Sequence, residues 1–170
     1  MTTRHRIGDL LLTITLLLGA VFLGGTVYQM LVINPEWGGA LPASLPAFFG
    51  GSQWAAAMAR FWTHPLLGTF PLFLVGALVA LWPHRPARLW LGASLGLFLV
   101  VTLWTGSYFI PEIEPLMVKA GAGLTPEQIT ERAGAWLFWD RIRFLLIIAA
   151  YLASLRAYRH SAPARPTAAA

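Results

Sequence analysis

Asp140 and Arg143 stand three residues apart at the head of an apolar run, residues 144–152. A carboxylate and a guanidinium this close to hydrocarbon are costly unless they pair with one another or reach water. On a helix that spacing puts them on one face, within pairing distance. Trp136, Trp139 and Ile147 recur at the same helical spacing, so the face carries aromatic as well as ionic groups. Two kinds of chemistry are open to it. A carboxylate can take a proton as a general base while a guanidinium or phenol holds a developing oxyanion. Alternatively, the pair neutralises itself and Arg143 extends to the headgroups, with no further role.

Other segments carry polar groups to the same depth. Tyr28, Gln29 and Asn34 close the first apolar run, and His64 and Thr69 open the second. Thr102, Thr105, Tyr108 and Glu112 lie along one face at the end of the third. The opposite halves of these runs offer little beyond Thr13, Thr15 and Ser94. The asymmetry predicts a lipid-accessible polar pocket in the outer leaflet, roofed by residues 34–63 and 111–132. His64 and Asp140 are the candidate bases there, and Arg143 and Tyr108 complete the candidate catalytic set. Tyr28, Gln29, Thr105 and Trp139 are the candidate substrate contacts, Gln29 also as a donor. Each has a plain structural alternative. The tyrosines and tryptophans suit an interfacial belt, the threonines can bond their own helix carbonyls, and His64 before Pro65 suits a helix start.

Several chemistries are set aside by counting. There is no cysteine, hence no disulfide and no thiolate site. His5, His84 and His160 fall at the end opposite His64, which removes two-histidine haem ligation. Glu112, Glu114, Asp140 and His64 form a conceivable carboxylate set but lack the Glu-x-x-His pairs of di-iron bundles. No metal and no cofactor is expected. No phosphate loop, nucleophile elbow or zincin motif occurs, and Ser107 reads as a helix residue.

The elements that must hold these residues are apolar helices. Hydrophobic residues make up 57% of the chain and charged ones 11%, with a mean hydropathy of +0.64, whereas soluble domains carry about 25% charge. The fold class expected is all-α: an integral membrane four-helix bundle in a single domain, residues 1–160, with spans at 10–33, 65–82, 89–110 and 136–158. The first run has 24 residues without a charge, which is long for a cleaved signal peptide and sufficient to span. Asn34-Pro35 is expected to end that helix. Residues 52–62 read as an interfacial helix capped by Ser52 in the first outer loop, and Pro71 as a kink in the second span. Thr125-Pro-Glu-Gln128 reads as a capping box opening an amphipathic extension that leads through Gly134 into the fourth span. Gly92-x-x-x-Gly96, Gly76/Ala80 and Ala149/Ala153 allow close helix packing and a homo-oligomer. Residues 161–170 are Ala- and Pro-rich and read as disordered.

Four spans put both termini on one side. That side holds Arg4, Arg6, Arg85, Arg88, Arg156, Arg159 and Arg165, against Arg60, Lys119, Arg132, Arg141 and Arg143 on the other. The bias predicts a multi-pass protein of the cytoplasmic (inner) membrane with both termini inside. The net charge of +5 is explained by basic residues flanking apolar runs, so nucleic acid is not an expected partner. The expected partners are membrane lipid and a small apolar ligand.

Three motifs carry a family resemblance over residues 10–158. They are Gly24-Gly-Thr-Val-Tyr-Gln29 leading to Asn34-Pro35, Thr105-x-x-Tyr-Phe-Ile-Pro111, and Trp136-x-x-Trp-x-x-x-Arg143. With them the chain resembles a family of small four-span membrane proteins, largely of unknown function, that includes the anthrone oxygenases. The resemblance implies a cofactor-independent oxygenase-like enzyme acting on an apolar aromatic substrate. The alternative expectation is a non-catalytic lipid- or quinone-binding protein, or an accessory subunit of a membrane complex.

Overall fold

The computed structural model describes residues 2–50 and 53–161, with the side chains of residues 54 and 55 set apart; the expected Ser52 cap and most of the expected 161–170 tail lie outside the described residues. Helices make up the fold, in the order α1 (Thr3–Tyr28), α2 (Asn34–Gly38), α3 (Ser44–Phe49), α4 (Trp54–Trp62), α5 (Pro65–Gly68), α6 (Phe70–Ala80), α7 (Arg85–Trp104), α8 (Ile110–Ile113) and α9 (Pro126–Ser161). Four of them form the bundle. Helix α1 packs against α6 and α9, and α7 packs against α6 and α9, which closes the ring. Three stretches, Thr3–Gly38, Ala56–Ala80 and Arg85–Val118, are long and apolar enough to cross a membrane. Helix α9 lies in the bundle beside them, but its charged residues break up its apolar length.

The ends of the helices are tied at one pole. A helix leaves its last four carbonyls without partners, and here basic side chains from other elements supply them. Arg4 donates to the carbonyls of Val79 and Ala80 at 2.8 and 3.1 Å. The Nε2 atoms of His5 and His84 meet the carbonyls of Ser161 and His160 at 3.0 and 2.6 Å. Both ends of the described chain therefore lie at this pole. Above it, Leu12, Leu74 and Leu91 pack tightly, and Ser94 and Ser154 form a buried 2.8 Å hydrogen bond between α7 and α9.

The far pole is aromatic. Trp37, Phe49, Phe109 and Trp136 form its core with Leu45 and Leu116. Helix α9 opens on the expected capping box: the Thr125 N–H donates to Gln128 Oε1 at 2.9 Å and the Gln128 N–H to Thr125 Oγ1 at 3.3 Å. The turn before it passes through Gly121 at φ +78°, where a Cβ would lie 2.8 Å from Ile129 Cδ1. Both the backbone angle and the close approach require glycine.

Asn34-Pro35 does not end the first helix, contrary to expectation. The helix continues to Gly38 through a π-helical turn, Gln29–Ile33. Further π-turns occupy Thr105–Phe109 and Glu114–Val118. The first two end two residues before a proline, Pro35 and Pro111, and the third contains Pro115. Proline has no N–H and its ring meets the carbonyl four residues back. At Pro35 and Pro111, widening the preceding turn to i→i+5 bonding moves that carbonyl aside. The N–H groups of Asn34, Ile110 and Lys119 bond the carbonyls of Gln29, Thr105 and Glu114 accordingly. At Pro71 the break is sharper: α5 stops, Thr69 turns, and its hydroxyl donates to the Leu66 carbonyl at 2.6 Å.

Candidate functional site

Asp140 is 1% exposed and the Arg143 side chain 13%, and the two are joined through Nη2 and Oδ1. The guanidinium points into the bundle, not out to headgroups. The remaining carboxylate oxygen, Oδ2, accepts from Asn34 Nδ2 at 2.8 Å and from Gln29 Nε2 at 3.4 Å. Arg143 Nη1 donates to Thr105 Oγ1 at 3.3 Å, and that hydroxyl donates on to the Val101 carbonyl at 2.7 Å. The guanidinium lies over the Phe109 ring, 4.0 Å from its centroid, and 5.9 Å from that of Trp136. Two charges are thus removed from water with a charge partner, three amide or hydroxyl partners and a cation–π face.

Two π-turns make this geometry. Five residues of α-helix would set Gln29 and Asn34 about 140° apart around the axis. The wider turn stacks them, so both reach Oδ2. On the neighbouring helix Thr105 opens a π-turn and Phe109 closes it. The hydroxyl meets one edge of the guanidinium and the ring its face. On α9 the spacing of Trp136, Asp140 and Arg143 is ordinary α-helix. Among the described residues, Asn34 Oδ1, Arg143 Nε and the indole nitrogens of Trp37 and Trp136 are buried without a hydrogen-bond partner.

A groove of about 220 Å³ opens beside the network. Gly25, Tyr28, Gln29 and Ile33 form one wall; Ala57, Met58, Phe61 and Trp62 of α4 form the other. Its surface is almost wholly apolar. Helix α4 therefore packs on the first helix as a groove wall. Phe61 sits so close to Gly25 that an added Cβ there would lie 2.4 Å from its Cε1. Gln29 belongs to both groove and network: it lines the groove, and its Nε2 donates to Asp140 at 3.4 Å.

The candidate residues are partly brought together. Gln29, Thr105, Asp140 and Arg143 form one network. Tyr28, half exposed, lines the groove. Tyr108 packs edge-on to Phe109 at 5.0 Å, one ring removed from the guanidinium. Trp139 packs edge-on against Trp104 at 5.6 Å on the partly exposed side of α9. His64 is exposed and lies outside the network, where its Nδ1 accepts the Leu66 N–H at 3.3 Å and caps α5. The other carboxylates of the conceivable metal set are separately paired, Glu112 with Arg132 through two bonds of 2.9 and 3.0 Å and Glu114 with Lys119 at 2.9 Å. Asn34, Phe109 and Trp136 join the site without having been among its candidates. For the first two, the signal in the sequence was the proline that follows each by one or two residues.

No protein-family model, curated protein or solved structure matches the chain.

Proposed function

We propose that this chain is a multi-pass protein of the cytoplasmic membrane, termini inside, that binds a membrane-soluble amphiphile in the groove between Gly25 and Trp62 without transforming it. The observation that carries the reading is the double membership of Gln29. An apolar groove open to lipid would hold any chain. Gln29, held by a buried carboxylate, adds a polar residue to an otherwise apolar lining, and small-molecule sites combine few polar groups with apolar walls in this way. The pole that gathers Arg4, Arg85, Arg88, Arg156 and Arg159 faces the cytoplasm by the positive-inside rule.

The resemblance to anthrone oxygenases implies catalysis, which needs a base at the substrate. Of the two candidates, His64 stands outside the network as a helix cap, and both oxygens of Asp140 already accept hydrogen bonds. Those facts favour binding over turnover. Native mass spectrometry of the protein released from lipid nanodiscs tests the reading. One retained amphiphile per chain is expected, lost in Gly25→Leu, with no oxygen uptake above background when anthrone is added. Oxygen uptake that disappears in Asp140→Asn would replace binding with catalysis, and the absence of any retained amphiphile in the wild type would remove the groove as a site.

A further inference from the structure

We infer that the turn between α6 and α7 is a headgroup site for an anionic phospholipid, whose phosphate is held by Arg4 and Arg88 beside Trp82. This site stands apart from the groove and needs only that the chain lies in a membrane. Two guanidiniums converge on the turn. Arg4, from the first turn of α1, donates to the Val79 and Ala80 carbonyls at 2.8 and 3.1 Å. The Trp82 N–H shares the Val79 carbonyl at 3.4 Å. Arg88, near the start of α7, donates to the Trp82 carbonyl at 3.4 Å and lies over the Trp82 ring, 4.9 Å from its centroid.

Both side chains keep donors for an anion. A guanidinium carries five N–H groups, and the carbonyls take two from Arg4 and one from Arg88. Arg4 is exposed, and none of the unpartnered nitrogens of Arg88 is buried. Long arginine side chains at a surface ordinarily lose rotamer freedom on binding. Here the backbone and the indole already hold them, which lowers that cost.

The pole supplies no anion of its own. None of the ion pairs among the described residues includes either guanidinium. Of the acidic residues only Asp9 lies at this pole, and it pairs with His5 at 3.5 Å. Arg6, Arg85, Arg156 and Arg159 add exposed positive charge. Phosphate suits such a place, because a guanidinium can engage two of its oxygens in parallel.

The surroundings select a lipid. Trp82 is 53% exposed, Ile7, three residues after Arg4, 50%, and Leu89, next to Arg88, 60%. A soluble phosphate leaves these apolar surfaces in water, whereas an acyl chain covers them. Tryptophan is at home at headgroup level, and basic pockets between spans bind anionic headgroups. A choline headgroup brings its own cation, which two guanidiniums repel, so the class is a phospholipid of net negative charge.

Native mass spectrometry of the protein released from nanodiscs of equal parts phosphatidylglycerol and phosphatidylcholine, with chains distinguishable by mass, tests the site. Phosphatidylglycerol is expected to be retained over phosphatidylcholine by about tenfold or more. Arg4→Gln and Arg88→Gln should each cut that ratio about fivefold, the worth of one basic residue at a membrane surface. Arg159→Gln removes the same charge from the same pole and should change it less than about twofold. Excess inorganic phosphate should leave the lipid in place, and the preference should persist in Gly25→Leu, so that site and groove are read separately. A ratio near one in the wild type, which needs no variant to fold, would overturn the site. Equal losses in Arg159→Gln and Arg88→Gln would replace it with a diffuse field. Displacement by inorganic phosphate would make the ligand a soluble anion, and loss of the preference in Gly25→Leu would move the lipid to the groove.

Discussion

Asn34 Nδ2 lies 2.8 Å from Asp140 Oδ2, a hydrogen bond across 106 residues of sequence that ties the end of the first long helix to the start of the last. It completes a carboxylate whose other oxygen is taken by Arg143. The site is therefore first a structural joint of three helices and only then a polar edge for the groove. That order sets how its members respond to substitution.

Removing one member of a buried ion pair leaves the other charge uncompensated, at about 3–5 kcal/mol. Arg143→Leu should show a loss of that size in denaturant unfolding in mixed micelles. Replacing both residues, Asp140→Leu with Arg143→Leu, should restore most of it, because no charge is then left buried. Strict additivity of the two single losses would mean that Asp140 and Arg143 are not coupled in the folded protein.

Proline to alanine in a helix interior ordinarily stabilises, but Pro35 stands in the first turn of α2 behind a π-turn that already accommodates its ring, so little is gained by removing it. Pro35→Ala should do the reverse here. With an N–H at position 35, the preceding turn can tighten to α geometry and swing Asn34 away from Asp140. A hydrogen bond to a charged group is worth about 1.5–3 kcal/mol, and that is the expected loss. Unfolding midpoints, together with hydrogen exchange at residues 33–35, would detect it. A stabilised Pro35→Ala would show that the π-turn is not what delivers Asn34.

The sequence contained most of the architecture. Uncharged runs placed the long helices, and the Thr125–Gln128 box placed the start of α9. Depth alone placed Gln29, Thr105, Asp140 and Arg143 near one another, and the structure joins them. Two things were not legible. A proline reads as a stop, and nothing local distinguishes a stop from a π-turn that carries the helix past it, so Asn34 was read at the right depth but left out of the site residues, and Phe109 was not read as part of the site. Depth also says nothing of rotation about a helix axis. Trp139 and His64 have the right depth and face elsewhere.

Near the start of α9 the Glu127 carboxyl is held below its ordinary value by its own backbone N–H, then by the Thr125 hydroxyl. A folded-state value depressed below the unfolded one contributes stability above the unfolded value, and that contribution is lost as pH falls through the folded value. Unfolding midpoints followed downward in pH from about 5 should therefore decline more in the wild type than in Glu127→Gln. Parallel curves would show that the carboxylate does not support the helix start. The effect is small, because the group is fully exposed.

His64 separates the binding and catalytic readings most directly. Its ring nitrogen accepts one backbone N–H at the start of α5, so His64→Ala removes a cap, at a cost of about 1 kcal/mol. It touches neither Gln29 nor the Asp140–Arg143 pair. Affinity for the retained amphiphile in His64→Ala should therefore stay within about twofold of wild type, a change under 0.5 kcal/mol by the usual conversion, while the unfolding midpoint drops slightly. Gly25→Leu should show the opposite pattern, with affinity lost and α5 unaffected. Were His64→Ala to abolish binding while the helices persist by circular dichroism, the ligand would have to sit against α5. The groove between Gly25 and Trp62 would then be only a packing feature of the first two long helices.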